Sequence, residues 1–337
     1  MKTSLFYLMD HYPELSGSIE DRYAALIDQC VLAEARGYES VWLAEHHFHQ
    51  LGTAPNPAVL LAAIAAKTTS LRIGPAVAVL PMRPTLYTAE NYAMVDNISN
   101  GRLNLGVGSG SSPFELGGVG LNPDQAKNEY ISSLTELGER FAGASAGDLG
   151  YETMNIASVQ QPAPPTFIAT SSTEGAHRAG TDGSSILTIS TPGTPDVEEI
   201  GNRLRSHRQG LIDGGFDPES RQAVVVAFGF CAPTSEEARA LGAPALARTI
   251  HNMSGAEMDP DDLYNKLTGC GTGVFGDPAE VTALMQGFAD QGVERLAFLT
   301  GFGALPIDKN AESIELLANA ASNVRPQHAR PDTAPVA

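Results

Sequence analysis

Val41-Trp-Leu-Ala-Glu-His-His-Phe48, followed eight residues on by Asn56-Pro57, reads as a strand that empties into titratable side chains. The apolar run with its β-branched start predicts a buried strand over 40–44. Glu45, His46 and His47 follow at once, three groups able to hold or move protons. Asn56 is placed to cap a helix whose first residue is Pro57. Titratable groups at the carboxyl end of a buried parallel strand stand where α/β barrels keep their chemistry, so the pattern points to an enzyme.

Outward from that run the chain alternates. Further strand-like apolar runs lie at 4–9, 71–79, 103–107, 166–170, 185–189, 222–231 and 295–300, making eight with 40–44. Helical periodicity falls between them. Tyr130, Leu134, Leu137 and Phe141 share one face, and Val281, Leu284, Met285 and Phe288 share another. Ser18-Ile-Glu-Asp21 opens the first helix as a loose capping box, and Gly37 stops it. Eight strands each followed by a helix predict an α/β fold, a (β/α)8 TIM barrel. A doubly wound open sheet also alternates, but its usual G-x-G-x-x-G after the first strand is missing. One barrel domain over 1–325 accommodates the length. Residues 233–277 interrupt the rhythm as a long insertion between the seventh strand and its helix, where covers and surface excursions occur. The connection 143–165 reads as irregular, and the proline-bearing stretch 326–337 as a disordered tail.

Composition narrows the class. Hydrophobic residues at 42% and charged residues at 18% fit a soluble globular chain with a large core. A net charge of −18 argues against nucleic acid and anionic membrane as partners, and it serves solubility. Cys30, Cys231 and Cys270 form no C-x-x-C and leave an odd thiol, which suits a reducing, cytoplasmic setting. Met1-Lys2-Thr3 runs straight into the first strand, which predicts no signal peptide. No apolar stretch approaches the ~20 residues of a membrane span.

Three segments carry chemistry. His47-x-His49 has the spacing of a barrel metal pair, but such a site needs ligands at other strand ends. Thr170, Ile189 and Thr300 stand there instead, so no metal is expected. The bland alternative is a set of histidines hydrogen-bonded within a loop. Gly101-Arg-Leu-Asn-Leu-Gly-Val-Gly-Ser-Gly110 ends a strand in alternating glycines, which leaves backbone N–H groups open to an anion. Phe167-Ile-Ala-Thr-Ser-Ser-Thr-Glu-Gly-Ala176 turns a strand into a helix through hydroxyls. That is either an anion-binding helix start or plain N-capping by Ser172 or Thr173. Lys127 follows Asn122-Pro123-Asp124, just inside the helix after strand four, and can reach the same rim.

Together these residues resemble the catalytic subunit of bacterial luciferase and the wider luciferase-like flavin monooxygenases. The shared pieces are Leu43-Ala-Glu-His-His-Phe48, Asn56-Pro57, Val79-Leu-Pro81 and Val95-Asp-Asn-Ile-Ser-Asn-Gly-Arg102. They resume at 161–165, at Ala169-x-Ser-Ser172, at Val274-Phe-Gly-Asp-Pro-Ala-Glu-Val281 and at Gly303-x-Leu-Pro306. The resemblance covers most of the chain and is weakest over 141–160 and 231–268.

The resemblance implies a monooxygenase that binds reduced FMN, supplied by a separate flavin reductase, at the carboxyl ends of its strands. Oxygen would add to the flavin to give a peroxide that attacks a small organic substrate. It implies that His46 is the catalytic histidine, with Glu45 as a helper, and that the protein is a homodimer. Ser109, Lys127, Ser171 and Ser172 fall where the family holds the FMN phosphate, with Gly108 and Thr170 beside them. Ala76-Val77 falls on a bend under the flavin ring that carries a non-prolyl cis peptide in relatives. Three positions depart from luciferase: Gly108 replaces a cysteine, Ser109 an arginine, and Thr170 an acidic neighbour of the phosphate. A phosphate held less tightly suits a flavin that is borrowed and released. Related barrels bind the deazaflavin F420 and transfer hydride, and they carry an acid soon after the glycine strand; Ser109-Gly-Ser-Ser-Pro113 offers none until Glu115. Non-catalytic flavin-binding relatives tend to lack the first histidine, which is present here as His46. A flavin peroxide needs water kept out, which makes 233–277 a candidate lid hinged at Gly269, Gly271 and Gly273.

Overall fold

Strands in this chain are apolar on both faces, and the fold gives each face its own layer. The computed structural model describes residues 1–143 and 154–325. The expected tail 326–337, and 144–153 of the irregular connection, lie outside the described residues. In chain order the elements are β1 (Lys2–Tyr7), α1 (Ile19–Ala35), β2 (Ser40–Leu43), α2 (Pro57–Ala65), β3 (Arg72–Pro75), β4 (Ala78–Val79), α3 (Thr85–Ile98) and β5 (Leu105–Gly108). Next come α4 (Pro113–Gly118), α5 (Pro123–Phe141), β6 (Thr166–Ala169), α6 (Thr173–Thr181), β7 (Ser185–Ile189) and α7 (Val197–Asp213). The rest are β8 (Ala223–Cys231), α8 (Ser235–Ser254), α9 (Pro260–Gly269), β9 (Val274–Gly276), α10 (Pro278–Asp290), β10 (Arg295–Leu299) and α11 (Ile307–Ala321).

The strands run parallel in the order β3-β2-β1-β10-β8-β7-β6-β5-β4. β3 pairs with β2 and β4 pairs with β5, and β3 and β4 are consecutive pieces of one strand, so the order nearly closes into a barrel. Counting that pair once leaves eight barrel strands. The expected single strand over 71–79 is therefore corrected to two short ones. The Ala76–Val77 peptide between them is cis, at the bend that the resemblance implied there.

Alternation along each strand sorts the side chains. Val41 and Leu43 face outward into the layer shared with Leu26, Leu61 and Ile64 of the helices. Trp42 and Ala44 face inward with Phe6, Phe167, Leu187 and Phe228. Trp42 meets Phe167 edge-on, with ring centroids 5.1 Å apart, a geometry worth ~0.5–1.5 kcal/mol beyond burial. Gly74 makes room for the indole, since a Cβ there would lie 2.9 Å from Trp42 Cζ3.

The 95–102 segment proves to be scaffold. Buried Asp96 accepts from Gln160 N and Nε2 at 2.9 and 2.7 Å. Arg102 donates to the carbonyls of Ala65, Thr68 and Leu71 at 2.6–3.0 Å. These bonds tie the entry of β5 to the end of α2, far along the chain from the strand ends that matter below.

Residues 233–277 form α8, α9 and β9, with Leu246, Leu263, Tyr264, Leu267 and Phe275 buried in the same cluster as Phe228 and Phe230 of β8. β8 runs past the barrel and pairs Gly229, Phe230 and Cys231 with β9. α8 leans on the carboxyl rim: Thr249 Oγ1 donates to Asp10 Oδ2 at 3.2 Å, and Arg248 donates to the Gly303 carbonyl. Of the three expected hinge glycines, only Gly271 has a positive φ (+66°). Gly273 is crowded, since a Cβ there would sit 2.9 Å from Phe275 Cε2. The segment packs against β8 and the carboxyl rim through these contacts.

Candidate active site

β2 delivers Glu45 and His46 to the barrel rim, and the loop that follows folds back instead of leaving. Glu45 is buried, with a fully covered side chain. Arg83 Nη2 pairs with Glu45 Oε1, and the same guanidinium donates to the Pro55 carbonyl at 3.1 Å and Asn56 Oδ1 at 3.3 Å. Asn56 thus makes no capping bond to α2, although Pro57 does open the helix as expected. Its side chain was drawn instead to the nearest cation. His47 Nε2 lies 3.2 Å from Glu45 Oε1, and Val79 N donates to Oε2 at 3.4 Å. Glu45 is fully engaged in holding the loop.

A second carboxylate was not foreseen. Glu115 is buried at the third position of α4, whose start is capped by Ser112 Oγ and shaped by Pro113. Its Oε1 lies 2.9 Å from His46 Nδ1 and 2.6 Å from His49 Nε2. Burial works to raise the Glu115 carboxyl, but the hydrogen bonds and charge of His46 and His49 outweigh it and hold it below the ordinary range. The signal was present as Ser112-Pro113-Phe-Glu115, a helix start directly behind the glycine strand. The sequence pair His47-x-His49 is split: His47 turns to Glu45 and His49 to Glu115. His46, His49 and Glu115 are the three groups that converge, with ligand atoms within 4.8 Å of one another. Two exposed aromatics frame them. Phe114 packs 6.1 Å from His49, and Phe48, held at φ +66°, covers Gly118 of α4.

The barrel interior below this rim is packed and apolar. Leu8, Ala44, Leu187, Phe228 and Leu299 belong to it, with Ala76, Val77 and Ile189 packed on it. β4, β5 and β6 converge there: a Cβ on Gly108 would meet Val77 Cγ2 at 2.7 Å and Ala169 Cβ at 3.7 Å. Gly108 is the residue that lets Val77 approach.

Hydroxyls line the next stretch of rim. Ser109 is half-buried, and its Oγ reaches only the Gly110 carbonyl, at 3.5 Å. Ser172 is the N-cap of α6 and accepts from Gly175 N at 3.1 Å, while Ser171 is exposed. Thr170 Oγ1 accepts from Ser172 N at 3.4 Å. Capping leaves the Ser172 hydroxyl proton free to donate, so the helix start can still receive an anion. Lys127 is exposed near the start of α5, whose entry is fixed by a capping box between Asn122 and Gln125.

Comparison with known proteins places the chain in a family. The family model for luciferase-like monooxygenases matches residues 1–295. An uncharacterized protein of Sinorhizobium fredii, y4wF, is 31% identical over 326 residues, covering 90% of this chain and 92% of that one. The oxygenase component of flavin-dependent trigonelline monooxygenase from Acinetobacter baylyi is 27% identical over 246 residues, covering 71% of this chain and 67% of that one. The crystal structure of monooxygenase RslO1 from Streptomyces bottropensis superposes with a TM-score of 0.86 at 23% identity, covering 95% and 98% of the two chains, a likeness of fold.

Proposed function

The chain belongs to the luciferase-like monooxygenase family, and from that premise we propose that it uses reduced FMN and O2 to oxidise a small organic substrate. The observation that carries this reading is the meeting of three features on the barrel mouth formed by the strand ends: an apolar interior beneath it, a part-buried histidine, and a hydroxyl-bearing helix start. The residues suit a flavin. Ala44, Ala76, Val77 and Gly108 are the small and apolar residues at these strand ends that a ring system would lie against. Ser109, Ser171 and Ser172, with Thr170 beside them, offer donors to a phosphate, and we assign Lys127, exposed near the start of α5, as its cation in an otherwise acidic chain.

When bound, the reduced flavin supplies the electrons that activate oxygen. The chain's own groups do the rest. His46 holds or moves a proton at the edge of the mouth. Glu45 anchors His46 by holding Arg83 and the loop, and α8 and α9 act as a fixed roof that keeps water from the rim. A separate reductase supplies the flavin, a reading supported by the relative described as an oxygenase component. We also assign a homodimer to the face of α2 and α3, where Val59, Tyr87, Met94 and Ile98 stand exposed. Sedimentation as a monomer at micromolar concentration would remove that assignment.

One observation favours a second reading, an F420-dependent hydride transfer. Glu115, set aside by its distance along the chain, lies beside His46. Anaerobic titration with reduced FMN, oxidised FMN and F420 separates the two. Preference for reduced FMN supports the monooxygenase, preference for F420 supports hydride transfer, and binding of neither removes both.

A further inference from the structure

Glu115 and His49 lie outside the residues that the monooxygenase reading employs, yet their geometry determines what His46 can do. His49 Nδ1 accepts from Leu51 N at 3.2 Å, so the proton of a neutral His49 ring sits on Nε2. That Nε2–H donates to Glu115 Oε1 at 2.6 Å. The same carboxylate oxygen then faces His46 Nδ1 at 2.9 Å, and an ionised carboxylate only accepts. His46 must therefore be the donor through Nδ1–H.

We propose that Glu115, steadied by His49, is the positioning residue for His46, fixing its Nδ1–H tautomer and leaving Nε2 as the atom that takes and returns the proton. Carboxylate–imidazole pairs orient a ring and make its far nitrogen more basic. Every partner in the chain is fixed. Ser112 caps α4 by accepting from Glu115 N at 3.3 Å, which locks the carboxylate's helix at its first turn. Glu115 is buried, so its charge acts on His46 with little screening. The other ionisable groups near His46 are already committed: Glu45, His47 and Arg83 pair among themselves. His46 bonds within the described residues through Nδ1 alone. A proton arriving at Nε2 makes an imidazolium whose charge Glu115 balances, and its departure restores the same neutral tautomer.

The inference rests on reading His46 as the proton-handling group, and its test is separable from that reading. Nitrogen-15 NMR of the histidine side chains in the full chain, without flavin, reports the tautomer of His46 directly. The expected result is a dominant Nδ1–H tautomer in the parent. In Glu115→Gln the tautomer becomes mixed, with partial recovery in Glu115→Asp. An Nε2–H tautomer in the parent, which needs no variant, would overturn the proposal, as would an unchanged tautomer in Glu115→Gln. In turnover, kcat should fall in Glu115→Gln while KM stays constant. A changed tautomer with an unmoved kcat upholds the positioning role and sinks the proton-handling role of His46 instead.

Discussion

Replacing Arg83 with Met should cost more stability than any ordinary surface charge, because the anion it leaves behind has nowhere to go. The Glu45 side chain is fully covered and Arg83 is only 18% exposed. Breaking a buried ion pair by removing one partner costs ~3–5 kcal/mol. Here the guanidinium has some solvent access, and Glu45 keeps His47 at 3.2 Å and Val79 N at 3.4 Å, which lowers the expectation to ~2–4 kcal/mol. The Pro55 carbonyl and Asn56 side chain lose their donor as well, so the 45–56 loop should loosen around His46. A fall in Tm of roughly 3–6 °C corresponds to this range for a chain of 337 residues. The assay is urea denaturation of the parent, Arg83→Met, Glu45→Gln and the double variant. Glu45→Gln removes the stranded charge, so the double variant should recover part of the loss, with a coupling energy above ~1 kcal/mol. An Arg83→Met protein within ~0.5 kcal/mol of the parent, or strictly additive losses, would refute the idea that this pair holds the loop.

Lys127→Ala should weaken reduced FMN by roughly 10–100-fold, the equivalent of one charge-assisted hydrogen bond of ~1.5–3 kcal/mol. Unchanged affinity in a fluorescence titration would take Lys127 out of the site. The Glu115 carboxyl is held below its ordinary value of 4.5, so its stabilising contribution is present above about that pH and is lost as pH falls through the lowered value. The stability gap between the parent and Glu115→Gln should therefore hold above about pH 5 and narrow as pH falls below about 4.5. Buried Asp10, whose carboxyl is pushed up by desolvation, acts alike in both proteins and cancels. A gap that stays constant across that range would contradict the assignment.

The eight barrel strands were legible because each is an apolar run bounded by turns, and burial on both faces requires that. Strand 185–189 matches β7 to the residue, and the others differ by a few residues at their ends. The bend and cis peptide at Ala76–Val77 were legible only through the family resemblance, and the packing of α8 over Asp10 was not legible as a local pattern. Both depend on which distant strand lies alongside. Glu45 and His46 announced themselves by their place at a strand end. Glu115 did not, because it is 69 residues from His46 in the chain. Only barrel curvature brings the start of α4 back to the loop after β2. Asn56 shows the opposite failure. Its cap-like context was real, but Arg83, arriving from another strand end, offered a stronger partner.

The central claim is that His46 manages a proton beside a reduced flavin, and one measurement addresses it without knowledge of the substrate. Parent and His46→Ala are loaded anaerobically with reduced FMN, mixed with O2, and followed for flavin reoxidation and hydrogen peroxide release. The expected result is equal FMN affinity in the two proteins. The parent should withhold peroxide, while the variant releases it faster by a factor approaching the ~10²–10⁴ typical of a general acid–base group. Peroxide released by the parent as fast as from free reduced FMN, or identical kinetics in the two proteins, would contradict the account.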